Sequence, residues 1–513
     1  MINAKHMPLW LDIDKKVEFE ELTNNIETDV VVIGGGVAGL SIATMLKKEG
    51  LNVVVLESNR IGEYITGTTT AKVSYTSSLI YSHILSNFGE DFALKFKEAY
   101  FTGFENILQI INDLNIDCDQ KRVPFYILSE DESKTDILYN EVEALKKLNI
   151  PAKIVENIPF PYEHIHKALV HENQLELNPI KYLYGLANFI NDSICNSINN
   201  TCNNMSYVFE NSKVIAIENN NDFKIIKTEK AIVKCKNVVI ATNTPIYDPD
   251  SVYKYLNQNK SHGLGIVAKK ELSNAMFVVF NPFHTLRSAK TEKGEMLIVL
   301  GEHHSIDDSK NRWDFYNNLK EYSANLLDIE SIEYYWSGGD NLTEDKIAII
   351  GQTSEKGIYI ATGFNSWGIN TGMISAKIIT DSILNVKNDY ADIFSPLRFK
   401  DKYPEIDNKK LDRFGDKIAI NKTINSTKPI ETLINKMDNG EGMLIERTFG
   451  TLAIYKKDDE NIFILEGKCP HKSCKLHFDN VEKTWECPCH GSVFDYKGKV
   501  IRGPAINDLK PIK

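Results

Sequence analysis

The sequence has no excess of positive charge. It contains 59 Lys and Arg residues against 70 Asp and Glu residues, so its net charge is −11. Proteins that bind nucleic acid present basic patches, and this balance gives such a role no electrostatic basis. The rest of the composition, 42% hydrophobic and 25% charged, is that of an ordinary globular protein. At roughly 150 residues per domain, 513 residues predict two to four domains.

Long hydrophobic runs are also scarce. Val30–Met45 is the one stretch that resembles a membrane segment, but it contains four glycines and follows the acidic residues Glu27 and Asp29. A signal peptide needs a basic leader, and a spanning helix does not usually cluster glycines in this way. We therefore expect no membrane span and a cytoplasmic location. Internal repeats and low-complexity tracts are absent too, which excludes a repeat architecture.

Cysteine is sparse, with eight residues in the whole chain. Four of them are scattered and are expected to be buried or inert: Cys118, Cys195, Cys202 and Cys235. The others crowd into one short stretch near the C-terminus: Cys469, Cys474, Cys487 and Cys489. In a cytosolic chain such a cluster favours metal binding over a secreted disulfide framework.

Changes in composition and hydrophobic periodicity along the chain predict its domains. Strand and helix patterns alternate over residues 1–390, which we assign to one large domain. Residues 391–428 are charged, contain Pro396 and Pro404 and show no clear period, so they are predicted to form a linker. Short alternating runs and turns over residues 429–513 predict a small all-β domain.

A dinucleotide site is predicted near the N-terminus. The apolar strand Asp29–Ile33 leads into a GxGxxG turn, and the helix that follows ends near Gly50. A second strand, Asn52–Leu56, ends at Glu57, which is 18 residues after Gly39 and can accept hydrogen bonds from ribose hydroxyls. The alternative is a plain glycine-rich turn, but the strand, helix and acid together favour the dinucleotide.

The glycines of the turn and the first residues of the helix each suit a dinucleotide for a steric or electrostatic reason. Gly34 allows the tight turn, Gly36 allows the backbone to approach a pyrophosphate, and Gly39 allows the helix to pack on the strand. The first residues of the helix, Val37 and Ala38, place unpaired N–H groups and the positive end of the helix dipole at the phosphates.

Three later segments resemble the FAD-dependent oxidoreductases of the D-amino acid oxidase and glycine oxidase superfamily. They are Lys213–Ile217 with Val214, Val238–Asn243 with Ala241 and Thr242, and Gly357–Gly372 with Gly363, Gly368 and Asn370. The resemblance implies FAD and an α/β fold, in which a Rossmann-like FAD-binding domain is interleaved with an α+β substrate domain. The FAD-binding segments would be 29–80, 205–250 and 340–390, with substrate-side segments between them.

The segment Thr66–Lys72 corresponds to a region that lies beside the flavin in that superfamily. Its small hydroxyl residues and glycine suit close approach to the cofactor, so Thr69, Thr70 and Lys72 are candidate FAD contacts. A solvated loop is the alternative for each of the three.

Two boxes near the C-terminus resemble those of Rieske [2Fe–2S] proteins. They read Cys-Pro-His-Lys-Ser-Cys from residue 469 and Cys-Pro-Cys-His-Gly-Ser from residue 487. The resemblance implies that Cys469 and Cys487 hold one iron and that His471 and His490 hold the other, which raises the potential above that of an all-cysteine cluster. It also implies a disulfide whose partners are Cys474 and Cys489. A Cys₂His₂ zinc site is the alternative, but it would leave that second cysteine pair unexplained.

The Rieske resemblance has departures. Ser473 stands where many relatives have glycine, and Phe494 replaces a tyrosine whose hydroxyl bonds a ligand sulfur in the high-potential members. Ser492 is retained, and Ile506 replaces a proline. Because one hydrogen bond to sulfur is lost, we expect a cluster potential below that of the respiratory complexes.

The sequence identifies the substrate-binding residues less clearly than the cofactor sites. Amino-acid oxidising members of the superfamily hold the substrate carboxylate with an arginine, and Arg287 lies near the expected place. A structural ion pair is an equally good explanation for it. His303 and His304 follow a core strand and point to opposite sides, so either can line the pocket or form a polar strand end.

Together the two resemblances imply a flavin-dependent dehydrogenase acting on the C–N bond of an amine or amino acid, with electrons passed singly through the Rieske cluster to an external carrier. Tethering the acceptor to the flavin domain raises its effective concentration, which favours this interpretation. A redox sensor or electron carrier without a dedicated substrate, or a reductase running in the opposite direction, remain alternatives. The oligomeric state is not predicted.

Overall fold

The structure is a computed structural model. It describes residues 2–13, 16–192, 206–220, 222–270, 273–291, 294–306, 308, 310–399, 423–425 (backbone only), 429–448 and 450–512. Two of the scattered cysteines, Cys195 and Cys202, lie outside these residues, as does most of the predicted linker.

The described part of the large domain contains eight helices and eighteen strands. The helices are α1 Val37–Lys48, α2 Tyr81–Phe88, α3 Glu90–Asp113, α4 Thr135–Lys147, α5 Pro179–Asn191, α6 Arg312–Leu326, α7 Gly368–Ile383 and α8 Ala391–Phe394. The strands are β1 Lys5–His6, β2 Ile26–Ile33, β3 Val53–Leu56, β4 Lys72–Val73, β5 Lys121–Leu128, β6 Lys153–Val155, β7 Ala168–Glu176, β8 Tyr207–Phe209, β9 Val214–Asn220, β10 Phe223–Thr228, β11 Ile232–Ile240, β12 Leu256–Ala268, β13 Met276–Phe280, β14 Phe283–Thr291, β15 Gly294–Ser305, β16 Ile329–Thr343, β17 Ile349–Gln352 and β18 Ile358–Thr362.

The first sheet carries the predicted dinucleotide unit. Its strand order is β17-β18-β11-β2-β3-β8, with β10 on β11 and β9 on β10, and the pairs from β18 to β8 are parallel. Strands of a parallel sheet are covered on both faces, which explains the unbroken Val30–Ile33 run of buried residues. Helix α1 follows β2 and packs against α7, where Gly372 approaches the backbone of Ala38. Strand β2 begins three residues before the predicted Asp29.

The second sheet contains segments that were predicted to form the substrate side. Its order is β1-β16-β12-β15-β14-β13-β5-β7-β4, with β6 paired to β7, and most of its pairs are antiparallel. Leu264, Leu286 and Val299 from three adjacent strands are buried in one apolar cluster, against which α6 packs.

The C-terminal domain consists of two small sheets. Strands β19 Thr423–Asn425, β20 Glu441–Arg447, β21 Gly450–Lys456 and β22 Ile462–Glu466 form one, and helix α9 Ile430–Ile434 precedes β20. The other consists of β23 His477–Asp479, β24 Thr484–Glu486, β25 Val493–Asp495 and β26 Val500–Arg502. This confirms the fold class expected from the sequence, a mixed α/β domain followed by a small all-β domain.

The start of the predicted linker packs on the large domain. Phe394, in α8, and Phe399 are buried, and Arg398 Nε donates to the Asp345 carboxylate at 3.0 Å. Residues 391–399 thus continue the large domain, while 400–422 lie outside the described residues.

Buried charges join the two domains. Lys260 on β12 lies with its Nζ 2.7 Å from the carboxylates of both Asp479 and Glu486 in the C-terminal domain. Arg312 Nε is 3.7 Å from Asp479, and the His477 ring nitrogen is 3.1 Å from Glu486. All five side chains are buried, so they hold the C-terminal domain against β12 and α6 in a single arrangement.

Candidate functional site

The glycine turn after β2 has the steric constraints of a dinucleotide site. Gly34 has φ +113°, and a Cβ there would lie 2.6 Å from the Ala241 carbonyl oxygen. A Cβ at Gly39 would lie 1.9 Å from the Gly34 carbonyl oxygen, so no larger residue fits without moving the turn. Helix α1 starts at Val37, and the Val37 N–H donates to Thr66 Oγ1 at 3.1 Å.

Glu57 stands at the end of β3, as expected. Its carboxylate accepts hydrogen bonds from the backbone N–H groups of Gly35 at 2.7 Å and Asn59 at 2.9 Å. Burial raises the pKa of Glu57, and these hydrogen bonds oppose that effect. The backbone therefore orients a carboxylate that still has lone pairs for ribose hydroxyls.

A cavity of about 410 Å³ lies between the two sheets beside this turn. Twelve of the predicted FAD residues line it: Gly34, Gly36, Val37, Ala38, Glu57, Thr69, Thr70, Lys72, Val214, Ala241, Thr242 and Gly368. A glycine turn, a helix N-terminus and an oriented acid in one cavity suit FAD, so the residues present fit this cofactor.

Three predicted FAD residues shape the cavity without lining it. Gly39 allows α1 to pack on the turn, and Gly363, at φ +67°, leaves no room for a Cβ beside Thr343. Asn370 Nδ2 donates to the carbonyl oxygens of Ser74 and Tyr100 at 3.0 Å, which ties α7 to two other segments.

The second sheet supplies the opposite wall, which includes His303 and the predicted contact Lys72. The Lys72 ammonium donates to Thr285 Oγ1, and burial and the nearby Arg287 hold the pKa of Lys72 well below its usual value. Lys72 is thereby biased towards its uncharged form. His303 is exposed, and its ring meets Phe283 edge-on at 4.5 Å.

Arg287 and His304 do not line the cavity. The Arg287 guanidinium donates to the carbonyl oxygens of Ala71 at 3.2 Å and Leu177 at 3.1 Å and lies 3.7 Å from Glu176, so its contacts are those of a structural ion pair. His304 stacks on Phe315 at 4.0 Å, on the other side of β15 from His303. Of the three candidate catalytic residues, the structure places His303 alone in the cavity wall.

Some cavity residues have no signal in the sequence. The segment Val500–Ile506 of the C-terminal domain lines the same cavity, with the exception of Pro504. Nothing in its composition indicates this, because the contact depends on how the two domains dock. Ser366 and Trp367 also line the cavity, and they lie within the Gly357–Gly372 motif that resembles the flavin superfamily.

The four predicted iron ligands come together on two loops. The loop from β22 to β23 carries Cys469 and His471, and the loop from β24 to β25 carries Cys487 and His490. The two imidazole rings lie 4.8 Å apart, and both Nδ1 atoms are buried without a hydrogen-bond partner among the described residues. A hydrogen bond shared with Cys487 lowers the pKa of Cys469 to about 7 and raises that of Cys487. Two orphaned ring nitrogens beside two thiols fit a [2Fe–2S] cluster.

The remaining pair in this region, Cys474 and Cys489, forms a disulfide in the structure. It joins the two ligand loops, as the resemblance implied, and removes both sulfurs from the set of free thiolate ligands. Of the scattered cysteines, Cys118 and Cys235 are buried free thiols, as expected.

The departures from the Rieske pattern have structural counterparts. Ser473 adopts φ +59°, a conformation that favours glycine, which accounts for the glycine in relatives. Ser492 Oγ accepts a hydrogen bond from the Ala505 N–H at 3.0 Å. Phe494 is fully buried in the domain core, so its ring replaces the tyrosine without exposure to solvent.

Comparison with known families agrees with both sites. The family model described as FAD dependent oxidoreductase (DAO) matches residues 29–382, and that of the Rieske [2Fe-2S] domain matches residues 432–513. The chain therefore belongs to the DAO family of FAD-dependent oxidoreductases and carries a C-terminal Rieske domain. Its cofactors are FAD and a Rieske [2Fe–2S] cluster.

Among individual proteins, the chain is similar over nearly its whole length to YhfW of Bacillus subtilis (strain 168), which bears the name of a Rieske 2Fe-2S iron-sulfur protein. The two are 28% identical over 515 residues, covering 99% of this chain and 98% of the relative. The gamma-glutamylputrescine oxidoreductase of Escherichia coli (strain K12) is 22% identical, covering 72% of this chain and 86% of that protein. The glycine oxidase structure from Geobacillus kaustophilus superposes with a TM-score of 0.59 at 18% identity, covering 72% of this chain and 99% of that one.

A search of the helices within the described ranges finds none both long and apolar enough to cross a membrane.

Proposed function

We propose that this protein oxidises a C–N bond of an amine or amino acid by hydride transfer to FAD, and that the electrons leave singly through the Rieske cluster to an external acceptor. The observation that carries the proposal is the docking of the Rieske domain on the FAD cavity, since Val500–Ile506 contributes to the wall of that cavity. FAD supplies hydride acceptance and the cluster supplies one-electron transfer when each is bound.

The protein connects the two cofactor sites by a short path. Gly491 follows the ligand His490 and packs on Gln258 of β12, where a Cβ at Gly491 would lie 2.4 Å from Gln258 Oε1. The next three residues of β12, Asn259–Ser261, line the FAD cavity. Tyr253 of the large domain meets the His490 ring edge-on at 4.6 Å. These contacts support a cluster site that faces the flavin domain.

The cavity wall suits removal of a proton from an amine. An ammonium group must lose a proton before the adjacent C–H can transfer a hydride, because the nitrogen lone pair stabilises the developing cation. Burial favours the uncharged form of Lys72, so its amine can accept that proton. Val278, Phe283 and Leu300 add apolar side chains to this wall.

The activities named for similar proteins support the substrate class. They include a gamma-glutamylputrescine oxidoreductase, a glycine oxidase and an L-proline dehydrogenase. Because Arg287 is directed at backbone carbonyls, no contact of this residue favours an amino-acid carboxylate over a simple amine. A cytoplasmic location remains a prediction from the sequence.

Anaerobic mixing of the holoprotein with a panel of amines and amino acids tests the proposal. A substrate is expected to bleach the flavin absorbance first, and the cluster signal in electron paramagnetic resonance is expected to grow afterwards. No bleaching by any member of a broad panel would favour the redox-sensor alternative. A bleached flavin beside a cluster that stays oxidised would contradict the electron route while leaving amine oxidation intact.

A further inference from the structure

Arg502 belongs to the Rieske domain but lines the FAD cavity of the other domain. It is the last residue of β26, and its Nε donates to the Gly491 carbonyl oxygen at 3.1 Å. The guanidinium lies flat against β16, since a Cβ at Gly339 would be 2.8 Å from Nη1 and 3.3 Å from Nη2. The glycine at position 339 therefore makes room for this side chain.

The guanidinium has no carboxylate within 4.0 Å in the part of the chain that the structure describes. The charged group with the strongest influence on it, Glu486, is already bonded to Lys260 and His477. Arg502 is half-buried and an arginine stays charged in proteins, so its guanidinium keeps donors available to the cavity. An anion in the cavity would satisfy Nη1 and Nη2.

The N-terminus of α1 lines the same cavity, at Val37 and Ala38. Gly338, next to Gly339, lies against Thr68, because a Cβ at Gly338 would be 2.5 Å from Thr68 Oγ1. Two residues before Thr68, Thr66 Oγ1 accepts the hydrogen bond from the Val37 N–H. Two neighbouring glycines of β16 thus contact Arg502 on one side and, on the other, the 66–68 segment that bonds the helix N-terminus. The two features are independent, and both favour an anion.

We propose that Arg502 binds the pyrophosphate of FAD, so that the Rieske domain completes the cofactor site of the flavin domain. A planar guanidinium fork matches phosphate oxygens better than a point charge does. Binding of FAD and docking of the Rieske domain are then linked, and each strengthens the other by the same free energy.

The test measures binding to the deflavinated full-length protein. Dissociation constants for FAD and for ADP, which has the pyrophosphate but no flavin, are compared in the native protein, Arg502→Met, Arg502→Lys and the control Lys497→Met. Lys497 is exposed on the preceding turn and does not line the cavity. We expect Arg502→Met to weaken FAD and ADP alike by about 10- to 100-fold, the loss typical of a charged hydrogen bond. Arg502→Lys should be intermediate and Lys497→Met unchanged.

Electron paramagnetic resonance of the cluster in each variant verifies that the Rieske domain is folded. Unchanged FAD affinity in Arg502→Met with an intact cluster would overturn the proposal, and so would weakened FAD binding with unchanged ADP binding. A second measurement needs no variant. ADP added to the deflavinated native protein should slow hydrogen exchange of the 498–506 backbone, and exchange that ADP leaves unchanged would also refute the contact.

Discussion

His490 contacts both the cluster site and the flavin domain. Its ring lies 4.8 Å from that of His471 and 4.6 Å from that of Tyr253. A single side chain thus combines a proposed iron ligand with an interdomain contact. The large domain approaches the cluster through its histidine ligands, which is the side that carries the electrons in our proposal.

Replacing His490 with alanine should remove the cluster and leave the flavin. Iron loses one of its two imidazole ligands, whereas the glycine turn and Glu57 are unaffected. We expect loss of the cluster absorbance and paramagnetic signal, FAD content near that of the native protein, and unchanged anaerobic flavin bleaching by substrate. Turnover with a one-electron acceptor should be lost. The exposed His166, replaced in the same way, is the control and should change none of these. Full turnover without a cluster would contradict the prediction.

At the scale of elements, the β2–α1 unit depends on a single close approach. The Gly39 backbone lies so near the Gly34 carbonyl that the helix and the turn share one geometry. Interiors are packed closely enough that such a clash cannot be absorbed without moving one of the two elements.

Gly39→Ala should therefore displace α1 and lower FAD affinity. Overpacking of this kind costs about 1–3 kcal/mol of stability. Gly50→Ala is a suitable control, because Gly50 has φ +87° with nothing within 4 Å of an added Cβ. That variant should lose about 1 kcal/mol from backbone strain and keep its FAD. Thermal unfolding and flavin content per chain measure both effects. Equal FAD loss in the two variants would show that strain rather than the clash is responsible.

At the scale of the whole molecule, the ion cluster around Lys260 determines how the domains meet. It is buried, and it joins strands that are more than 200 residues apart in sequence. Removing one member of a buried cluster leaves an uncompensated charge, which is costly.

Lys260→Met should destabilise the docked arrangement by about 3–5 kcal/mol. Asp479 and Glu486 would remain buried without the ammonium group that lies 2.7 Å from both carboxylates. Denaturant unfolding and limited proteolysis of the native protein and the variant measure the change. Lys227→Met serves as the matched control, because Lys227 pairs with Glu218 at the surface and such pairs contribute less than about 1 kcal/mol. Similar losses in both variants would argue against a special role for Lys260.

The same cluster predicts how docking responds to acid. Burial raises the pKa of Glu486, but Lys260 and His477 outweigh this and hold that pKa well below its usual range. A carboxylate with a depressed folded pKa contributes stability above its unfolded pKa and loses it as the pH falls through the folded pKa. The domains should therefore stay docked at pH 5 and separate well below pH 4.5. Small-angle scattering at a series of pH values measures the separation of the domains. Separation already at pH 6 would contradict this prediction.

The site residues that lie close together in sequence could be predicted from the sequence, at both the FAD site and the cluster site. Gly34, Gly36 and Gly39 lie within six residues, and the ligands of each cluster loop lie within four, so short-range sterics and residue chemistry identify them. Residues whose contacts are distant in sequence carry no such local signal. Arg287 lies on the expected strand, but its neighbours Ala71 and Leu177 supply carbonyl oxygens that take its guanidinium away from the cavity.

The docking of the two domains was accessible only from the tertiary structure. Lys260, Asp479 and Glu486 are ordinary charged residues in sequence, and Arg502 is unremarkable in a short strand. Their partners are chosen by long-range packing, which has no period or motif along the chain. The cofactors and fold class thus follow from local patterns of glycine, cysteine and histidine. Which charges are buried together, and which domain completes the FAD cavity, depend on the free energy of packing the whole chain.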